Sequence, residues 1–290
     1  MMAETQIRFD DGAAYERRMG NWSQRAGSIF LDWLAAPSGL RWIDVGCGNG
    51  AFTELLVERC APVEVQGIDP SEGQLAFARE RPAARIAKFS RGDAMALPFP
   101  GDMFDAATMA LVISFVPDPI KGVAEMVRVV RPGGTVAAYV WDMLGGGYPG
   151  EPIRIEMRAM GLTVLSPPSD EASQIEALHD LWTRTGLDAV ETRDITVQRT
   201  FADFNDFWTI NLSASSAQPT LAAMAPNDIE LLKARVRARL PVDAMGRITY
   251  SARKCGEGAS AKIIHAQVSK PPHGGVFAKL IEPTVRLSFK

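Results

Sequence analysis

The chain has 290 residues, of which 47% are hydrophobic and 22% charged, an ordinary globular composition that allows a sizeable buried core. Its formal net charge is −3, from 31 Lys plus Arg against 34 Asp plus Glu, and no basic block occurs along it. Nucleic-acid binders usually present a basic face, so the charge pattern disfavours a nucleic-acid partner.

The sequence also disfavours membrane insertion and metal binding. No apolar run approaches the length of about 20 residues that crosses a bilayer, and residues 1–12 lack the basic start and apolar centre of a signal peptide. We therefore expect a cytoplasmic protein with no membrane partner. The odd set Cys47, Cys60 and Cys255 fits a reducing compartment, and the three histidines are too scattered to predict a metal site.

The first predicted element is a helix from Ala13 to about Leu34, in which apolar residues recur at helical spacing until Pro37. Tyr15 and Trp22 are seven residues apart and so share one face of this helix. They are equally suited to the core and to the wall of a pocket.

From residue 41 to residue 141, strand and helix patterns alternate with short turns between them. The predicted strands are 41–45, 63–68, 85–89, 104–113 and 135–141, and the predicted helices are 51–59, 71–81 and 119–130. This alternation predicts an α/β fold with a doubly wound, mostly parallel sheet that has helices on both faces.

The pattern then becomes irregular, and we expect a Gly- and Pro-rich insertion at 143–170 to cover the sheet edge. The later predicted elements are helices at 173–185 and 226–240 and strands at 190–198 and 247–252. An aromatic cluster, Phe201, Phe204, Phe207 and Trp208, either walls a pocket or fills the core. We interpret residues 1–254 as one domain, with 1–36 as a helical cover, 143–170 and 201–240 as lid segments, and 255–290 as an irregular tail.

The stretch DVGCGNG, Asp44–Gly50, has its glycines where the first strand turns into the next helix. Glycine tolerates positive φ and lets a ligand approach the backbone closely, and the helix start offers N–H groups and a positive dipole end. The spacing also fits a dinucleotide-binding loop. The glycines alone therefore leave two cofactor classes open.

Acidic residues at the ends of neighbouring strands separate these two classes. Asp44 precedes the turn where a dinucleotide site usually has an apolar residue, and its carboxylate suits a ligand ammonium group. Asp69 ends the second strand, where a carboxylate accepts hydrogen bonds from both ribose hydroxyls of either cofactor. Asp93 follows the third strand and would accept a hydrogen bond from an adenine amino group.

These motifs together resemble the class I S-adenosylmethionine-dependent methyltransferases of the small-molecule type 11 kind. The resemblance runs from about Tyr15 to Ala252 and rests on the following segments: Asp44–Gly50, Asp69 with Gln74 and Leu75, Gly92–Ala94 followed by Leu97-Pro98-Phe99, the Asp105 strand, and Arg131–Gly134. It implies a Rossmann-like sheet of seven strands whose last strand is antiparallel, and we place that strand at 247–252.

The resemblance also implies a role for each matching residue. The glycine loop would hold the methionine part of S-adenosylmethionine with Asp44 near its ammonium, Asp69 the ribose, and Gln74, Asp93 and the Ala94 N–H the adenine. The residues expected to bind this cofactor are Tyr15, Trp22, Asp44, Gly46, Cys47, Gly48, Asn49, Gly50, Asp69, Pro70, Gln74, Gly92, Asp93, Ala94, Ala110 and Leu111.

The implied reaction is methyl transfer to a small-molecule acceptor by direct in-line displacement, without a metal and with S-adenosylhomocysteine as product. Many relatives have a histidine after the fourth strand where this chain has Phe115, so a histidine proton shuttle is not expected there. Asp142, at the end of the fifth strand, is the first candidate for orienting or deprotonating the acceptor. Tyr139 and Asp118 are weaker candidates, and Cys47 is not expected to be a nucleophile.

Two other functions remain open from the sequence. An NAD(P)-dependent oxidoreductase could use the same loop, although Asp44 and Asp93 together disfavour it. A non-catalytic interaction module could also keep the nucleotide-binding fold. The oligomeric state and the methylated atom are not indicated.

Overall fold

A computed structural model describes residues 11–213, 217–251 and 259–268 of the chain. The helices are α1 (Gly12–Tyr15), α2 (Asn21–Leu34), α3 (Ala51–Cys60), α4 (Glu72–Arg79), α5 (Pro119–Val129), α6 (Glu151–Ala159), α7 (Ile175–Arg184), α8 (Phe204–Leu212), α9 (Gln218–Ala222) and α10 (Pro226–Arg239). The strands are β1 (Arg41–Val45), β2 (Glu64–Asp69), β3 (Ala87–Arg91), β4 (Phe104–Ala110), β5 (Val130–Trp141), β6 (Leu187–Phe201), β7 (Ile248–Ser251) and β8 (Ala259–Val268).

Within the described residues, the strands form one eight-stranded sheet in the order β3-β2-β1-β4-β5-β8-β6-β7. Strands β3, β2, β1, β4 and β5 are parallel, and β8 is antiparallel to both β5 and β6. The predicted Rossmann-like α/β fold, mostly parallel with an antiparallel last strand, is confirmed. The sheet has one strand more than the seven expected.

The antiparallel last strand is not where the sequence placed it. The predicted strand at 247–252 exists as β7, but β7 pairs with β6 at the outer edge of the sheet. The strand between β5 and β6 is β8, which lies in the segment interpreted as an irregular tail, so that interpretation is wrong for 259–268. Residues 269–290 lie outside the described residues. Pairing with β5 on one side and β6 on the other places β8 in the sheet. Such long-range pairing is not indicated by the local sequence pattern, so this strand was not predicted.

The long N-terminal helix predicted from residue 13 to residue 34 is confirmed with one interruption. It starts as α1, where the Asp11 carboxylate caps the helix by accepting a hydrogen bond from the Ala14 N–H at 2.9 Å. A π-helical turn, Glu16–Gly20, then leads into α2. A Cβ at Gly20 would lie 2.5 Å from Glu16 Oε1, so glycine at this position leaves room for the Glu16 carboxylate.

Helices cover both faces of the sheet and bury two apolar clusters. On one face, the Phe30 ring of α2 contacts Phe52 and Tyr139, with centroids 5.9 and 5.1 Å apart. On the other face, α5 and α7 contribute Met126 and Trp182, and the Trp182 indole donates a hydrogen bond to Val136 O at 3.2 Å. Each fully buried side chain of this size contributes roughly 1.5–3 kcal/mol to folding. Within the described ranges no helix is both long and apolar enough to cross a membrane.

Candidate cofactor site

The ends of β1, β2 and β4 meet at one edge of the sheet. Asp44 in β1 lies beside Gly67 of β2 and Thr108 of β4, so the loops that follow these strands are neighbours. Open α/β sheets bind their ligands at this carboxyl edge. Strand register therefore brings together the predicted cofactor residues that lie at or just after these strand ends.

The glycine loop packs against both neighbouring strand ends. The Gly46 N–H donates to Ile68 O at 2.6 Å, and Gly46 has a φ of 77°. A Cβ at Gly46 would lie 2.4 Å from Val112 Cγ2 in the loop after β4. A side chain is therefore excluded at Gly46 by both backbone conformation and space.

Asp69 ties the end of β2 to the glycine loop. One carboxylate oxygen accepts a hydrogen bond from the Gly48 N–H and the other from the Ser71 N–H, both at 2.9 Å. Ser71 in turn caps α4, because its hydroxyl accepts a hydrogen bond from the Gln74 N–H at 3.3 Å. These contacts fix the orientation of the Asp69 carboxylate beside the glycine loop, and carboxylate oxygens can accept hydrogen bonds from ribose hydroxyls.

Asp44 is fully buried at the base of the loop. Its Oδ2 accepts a hydrogen bond from the Thr53 hydroxyl at 2.6 Å, whereas Oδ1 has no hydrogen-bond partner among the described residues. Burial raises the pKa of Asp44 to about 7; the Thr53 hydrogen bond opposes this shift and the charge of Asp69 adds to it. A ligand ammonium at Oδ1 would supply both the missing partner and the opposite charge.

Gln74, on the first turn of α4, is a second buried polar group at the loop. Neither the oxygen nor the nitrogen of its amide has a hydrogen-bond partner in the described part of the chain. A Cβ at Gly48 would lie 3.9 Å from Gln74 Oε1, so the amide faces the glycine loop. An unsatisfied buried polar group costs about 1–3 kcal/mol, which makes this amide a candidate ligand contact.

The loop after β3 lies beside the end of β2, because the Gly92 N–H donates a hydrogen bond to Asp69 O at 3.1 Å. Asp93 is exposed and accepts a hydrogen bond from the Met95 N–H at 2.8 Å, and Ala94 is half-buried. This loop therefore lies beside the predicted ribose position, where the sequence placed the adenine contacts.

The residue after β4, Leu111, has an unusual backbone conformation. It is buried and its φ is 64°, a value that costs a residue with a side chain roughly 1–2 kcal/mol. Its N–H donates to Tyr139 O at 2.8 Å, which holds this conformation. Strained residues of this kind cluster at functional sites, so the strain supports the predicted role of Ala110 and Leu111 at the methionine side.

A charged network, which we call the cover network, joins the N-terminal helix to the glycine loop through Glu16, Asn49, Glu54 and Arg81. The Asn49 side-chain amide donates to Glu16 Oε2 at 2.8 Å. Arg81 donates to Asn49 O and to Glu54 Oε2, both at 2.6 Å, and also pairs with Glu16. Sequence reasoning missed Glu16, Glu54 and Arg81, because no local pattern reveals partners so far apart in the chain.

Replacing Glu16 with Gln is expected to loosen the cover without unfolding the sheet, because Arg81 would keep its ion pair with Glu54. Amide hydrogen exchange in residues 12–20 should become about tenfold faster, which corresponds to roughly 1.4 kcal/mol of local stability. The matched control is Glu72→Gln, which removes an exposed ion pair with Arg79 in α4. Equal exchange in the Glu16 variant and the wild type would contradict this role of the network.

Tyr15 and Trp22, predicted to share a helical face, have different surroundings. Tyr15 is half-buried, and burial raises the pKa of its hydroxyl to about 12. Trp22 is fully buried, and its ring centroid is 6.2 Å from that of Trp141 and 6.4 Å from that of Phe201. This packing supports the core role for Trp22.

The aromatic cluster is also packed into the core. Phe201 ends β6 rather than belonging to α8, and its ring centroid lies 5.1 Å from that of Phe207. Phe204 stacks on Trp208 with a centroid distance of 5.9 Å. Since Phe201, Phe204 and Phe207 are buried, the core interpretation is favoured.

The candidate bases all have structural roles. Asp142 Oδ1 accepts a hydrogen bond from the Gly145 N–H at 2.8 Å and so supports the turn after β5. Asp118 caps α5 by accepting a hydrogen bond from the Lys121 N–H at 3.1 Å. Tyr139 is fully buried near the Ser23 hydroxyl, and burial raises its pKa far above the usual range, which argues against a role as base.

Cys47 is buried within the glycine loop. Burial raises the pKa of its thiol well above the usual value, and the charges of Asp44 and Asp69 act in the same direction. A thiol held in its protonated form is a poor nucleophile. The position of Cys47 in the loop therefore suits packing and backbone contacts.

In the ranges that the structure covers, no group of three or more His, Cys, Asp or Glu residues could hold a metal.

The sequence of the chain is similar to those of known methyltransferases. A methyltransferase-domain family model matches residues 43–138. The chain is 44% identical over 95 residues to 2-methyl-6-phytyl-1,4-hydroquinone methyltransferase 2 from rice, covering 33% of this chain and 27% of that protein. It is 35% identical over 134 residues to demethylmenaquinone methyltransferase from Desulfitobacterium hafniense, covering 44% and 51%. The chain thus spans about half or less of the length of these curated relatives.

A solved structure extends the likeness beyond the matched domain. Phosphoethanolamine N-methyltransferase 2 from Haemonchus contortus, in complex with S-adenosyl-L-methionine, superposes with a TM-score of 0.54 and covers 89% of this chain and 56% of that one. The sequence identity is 19%, so this likeness shows the fold alone.

Proposed function

We propose that this chain is a class I S-adenosylmethionine-dependent methyltransferase that transfers a methyl group from S-adenosylmethionine to a small-molecule acceptor. The observation that carries the proposal is a pair of buried polar groups beside the glycine loop, Asp44 Oδ1 and the Gln74 amide, that have no hydrogen-bond partner among the described residues. The cofactor has an ammonium group at one end and a nucleoside at the other, which fit these two groups.

The described residues fit the cofactor along its length. Asp44 and the glycine loop would hold the amino-acid part, Asp69 the ribose hydroxyls, and Gln74 with Asp93 the adenine. When bound, the cofactor supplies a methyl group that its sulfonium already activates. The chain then has to align the acceptor in line with this methyl group and exclude water, which are contributions of position and desolvation.

The nature of the curated relatives supports a small acceptor. They are named for 2-methyl-6-phytyl-1,4-hydroquinone and for demethylmenaquinone. The cover and the lid helices α6, α8 and α10 would enclose such an acceptor at the carboxyl edge.

The identity of the cofactor is tested by calorimetric titration of the purified protein with S-adenosylmethionine, S-adenosylhomocysteine and NADH. We expect binding of the first two at micromolar concentrations and no binding of NADH. Tight binding of NADH with no response to the other two ligands would establish an oxidoreductase cofactor. No binding of any of the three would favour the non-catalytic interaction module.

Asp142 is proposed to orient or deprotonate the acceptor, and Asp142→Asn tests this role. An Asn side chain keeps an oxygen that can accept from the Gly145 N–H, so the turn after β5 should survive while the charge is lost. General base catalysis contributes typically 10²- to 10⁴-fold, so kcat with the true acceptor should fall by at least about 100-fold. The control, Asp142→Ala, removes both charge and turn bond. An unchanged kcat in the Asn variant would exclude the role.

A further inference from the structure

The loop after β3, residues 92–99, carries two of the predicted adenine contacts, and we call it the adenine loop. Its first residue is joined to the end of β2, because the Gly92 N–H donates a hydrogen bond to Asp69 O at 3.1 Å. The backbone then turns back on itself, with the Ala96 N–H donating to Asp93 O at 3.0 Å. The position of Asp93 relative to the end of β2 therefore depends on how both ends of this turn are held.

The far end of the adenine loop is held by an ion pair in the last turns of α5, Glu125 and Arg128. Glu125 Oε2 accepts a hydrogen bond from the Leu97 N–H at 2.7 Å. Arg128 donates to Leu97 O at 3.0 Å and to Phe99 O at 2.7 Å. Three backbone groups of the loop are therefore bonded to two side chains of one helix.

The two side chains of this ion pair also fix each other. Arg128 Nε and Nη2 donate to the two carboxylate oxygens of Glu125 at 2.6 and 2.7 Å. Such a bidentate pair has a defined geometry. The hydrogen bonds from Arg128 and from the Leu97 N–H hold the pKa of Glu125 below its usual value, so the carboxylate keeps the charge that pairs with Arg128.

Apolar packing completes the anchor at the far end of the loop. The Leu97 side chain is buried, and the Phe99 ring lies edge-on to that of Phe104 in β4, with centroids 5.1 Å apart. The two ends of the loop are also close together, because a Cβ at Gly92 would lie 3.6 Å from Pro98 Cδ. The adenine contacts thus lie on a closed turn between two anchored ends.

We propose that Glu125 and Arg128 are positioning residues that set the base specificity of the cofactor site by fixing the adenine loop. Adenine has an amino group that would donate to Asp93 and a ring nitrogen that would accept from the Ala94 N–H. Hypoxanthine has a carbonyl and a ring N–H at these two places, so both hydrogen bonds would be lost. A site rejects such an analogue only while its own polar groups are held in place. The inference rests on the proposed function, whereas the order of the loop can be measured without a ligand.

The test is calorimetric titration of the full chain with S-adenosylhomocysteine and with its hypoxanthine analogue, S-inosylhomocysteine. We expect the wild type to bind the adenine compound at least about 100-fold more tightly. Arg128→Met removes both donors to the loop carbonyls and should reduce this ratio at least about tenfold, through weaker binding of S-adenosylhomocysteine. A general loss of stability would lower both affinities together and leave the ratio unchanged.

The matched control is Arg184→Met, which removes an exposed arginine, paired with Asp180, from α7 on the same face of the sheet as α5. The ratio of affinities in this variant should equal that of the wild type. If Arg128→Met does not fold, Arg128→Lys keeps the charge but loses the planar fork that reaches two carbonyls. The ratio should then fall at least about threefold.

The order of the loop is measured by amide hydrogen exchange in the absence of ligand. Exchange at the Leu97 N–H and in residues 93–96 should become about tenfold faster when Arg128 is replaced, and should not change in Arg184→Met.

Equal binding of the two compounds by the wild type, an unchanged ratio in the Arg128 variant, or an equal fall in the control would overturn the inference. Exchange in the Arg128 variant at the wild-type rate would overturn it as well. Failure of S-adenosylhomocysteine to bind the wild type would instead count against the proposed function. In that case the exchange experiment still decides whether Glu125 and Arg128 fix the loop.

Discussion

Replacing Asp44 with Asn is expected to weaken S-adenosylmethionine binding about 10- to 100-fold at pH 8. A hydrogen bond to a charged group is worth about 1.5–3 kcal/mol, and the substitution removes the charge that would face the ligand ammonium. The Asn side chain is nearly the same size and can still accept from Thr53, so the core should not collapse. Calorimetry at fixed salt measures the change.

The pH dependence of binding should distinguish this role from simple packing. Because the pKa of Asp44 is about 7 in the folded protein, the carboxyl is neutral below that pH and must lose a proton to pair with an ammonium. Affinity should therefore rise about tenfold per pH unit from pH 5 to pH 7 and then level off. The Asp44→Asn variant should lose this slope.

Stability of the protein without ligand should change in the opposite direction. Between the unfolded value of 3.8 and the folded value of about 7, the folded state holds a proton on Asp44 that the unfolded state has released. Stability therefore falls as pH rises through this window, by up to about 1.4 kcal/mol per pH unit from this group. The control is Asp118→Asn, since asparagine also caps helices well.

The prediction for binding is refuted if the Asp44→Asn variant binds S-adenosylmethionine with wild-type affinity at pH 8, because the ammonium contact would then have no effect.

Replacing Gly46 with Ala is expected to distort the glycine loop and abolish detectable cofactor binding. An alanine would carry a Cβ 2.4 Å from Val112 Cγ2 at a φ of 77°. The left-handed conformation costs roughly 1–2 kcal/mol and overpacking typically costs 1–3 kcal/mol, so the free energy of unfolding should fall by about 2–5 kcal/mol. Urea denaturation measures this loss, and titration with S-adenosylhomocysteine measures the loss of binding.

Gly39→Ala is the matched control because it separates the two costs. Gly39 has a φ of 78°, almost the same as Gly46, but a Cβ there meets nothing within 4 Å. Its substitution should cost only the backbone term of roughly 1–2 kcal/mol and leave cofactor binding intact. Equal destabilisation in the two variants would show that contact with Val112 has no energetic effect.

The sequence predicted those parts of the fold that depend on local patterns. Strand β1 has the predicted bounds 41–45, and Asp44 and Asp69 lie at the predicted edge, because the ends of parallel strands necessarily meet there. The position of β8 was not predictable, since pairing with β5 and β6 determines it.

The finer parts of the candidate site depend on long-range contacts. The contact between Glu16 and Arg81 joins residues far apart in the chain, and no spacing rule reveals it. The hydrogen bond from Arg18 to the Tyr148 hydroxyl has the same origin, because these two residues come from different segments. For Asp142, the sequence placed the residue at the correct strand end but could not show that its carboxylate supports a turn.

The π-helical turn couples the two halves of the candidate site mechanically. Glu16 of this turn contacts Asn49 of the glycine loop and Arg81, and Arg18 of the same turn donates a hydrogen bond to the hydroxyl of Tyr148 in the segment after β5. A local opening of residues 12–20 would therefore break the contacts of the cover with the glycine loop and with this segment together. Under the proposed function, one motion would then uncover the methyl donor and the acceptor position.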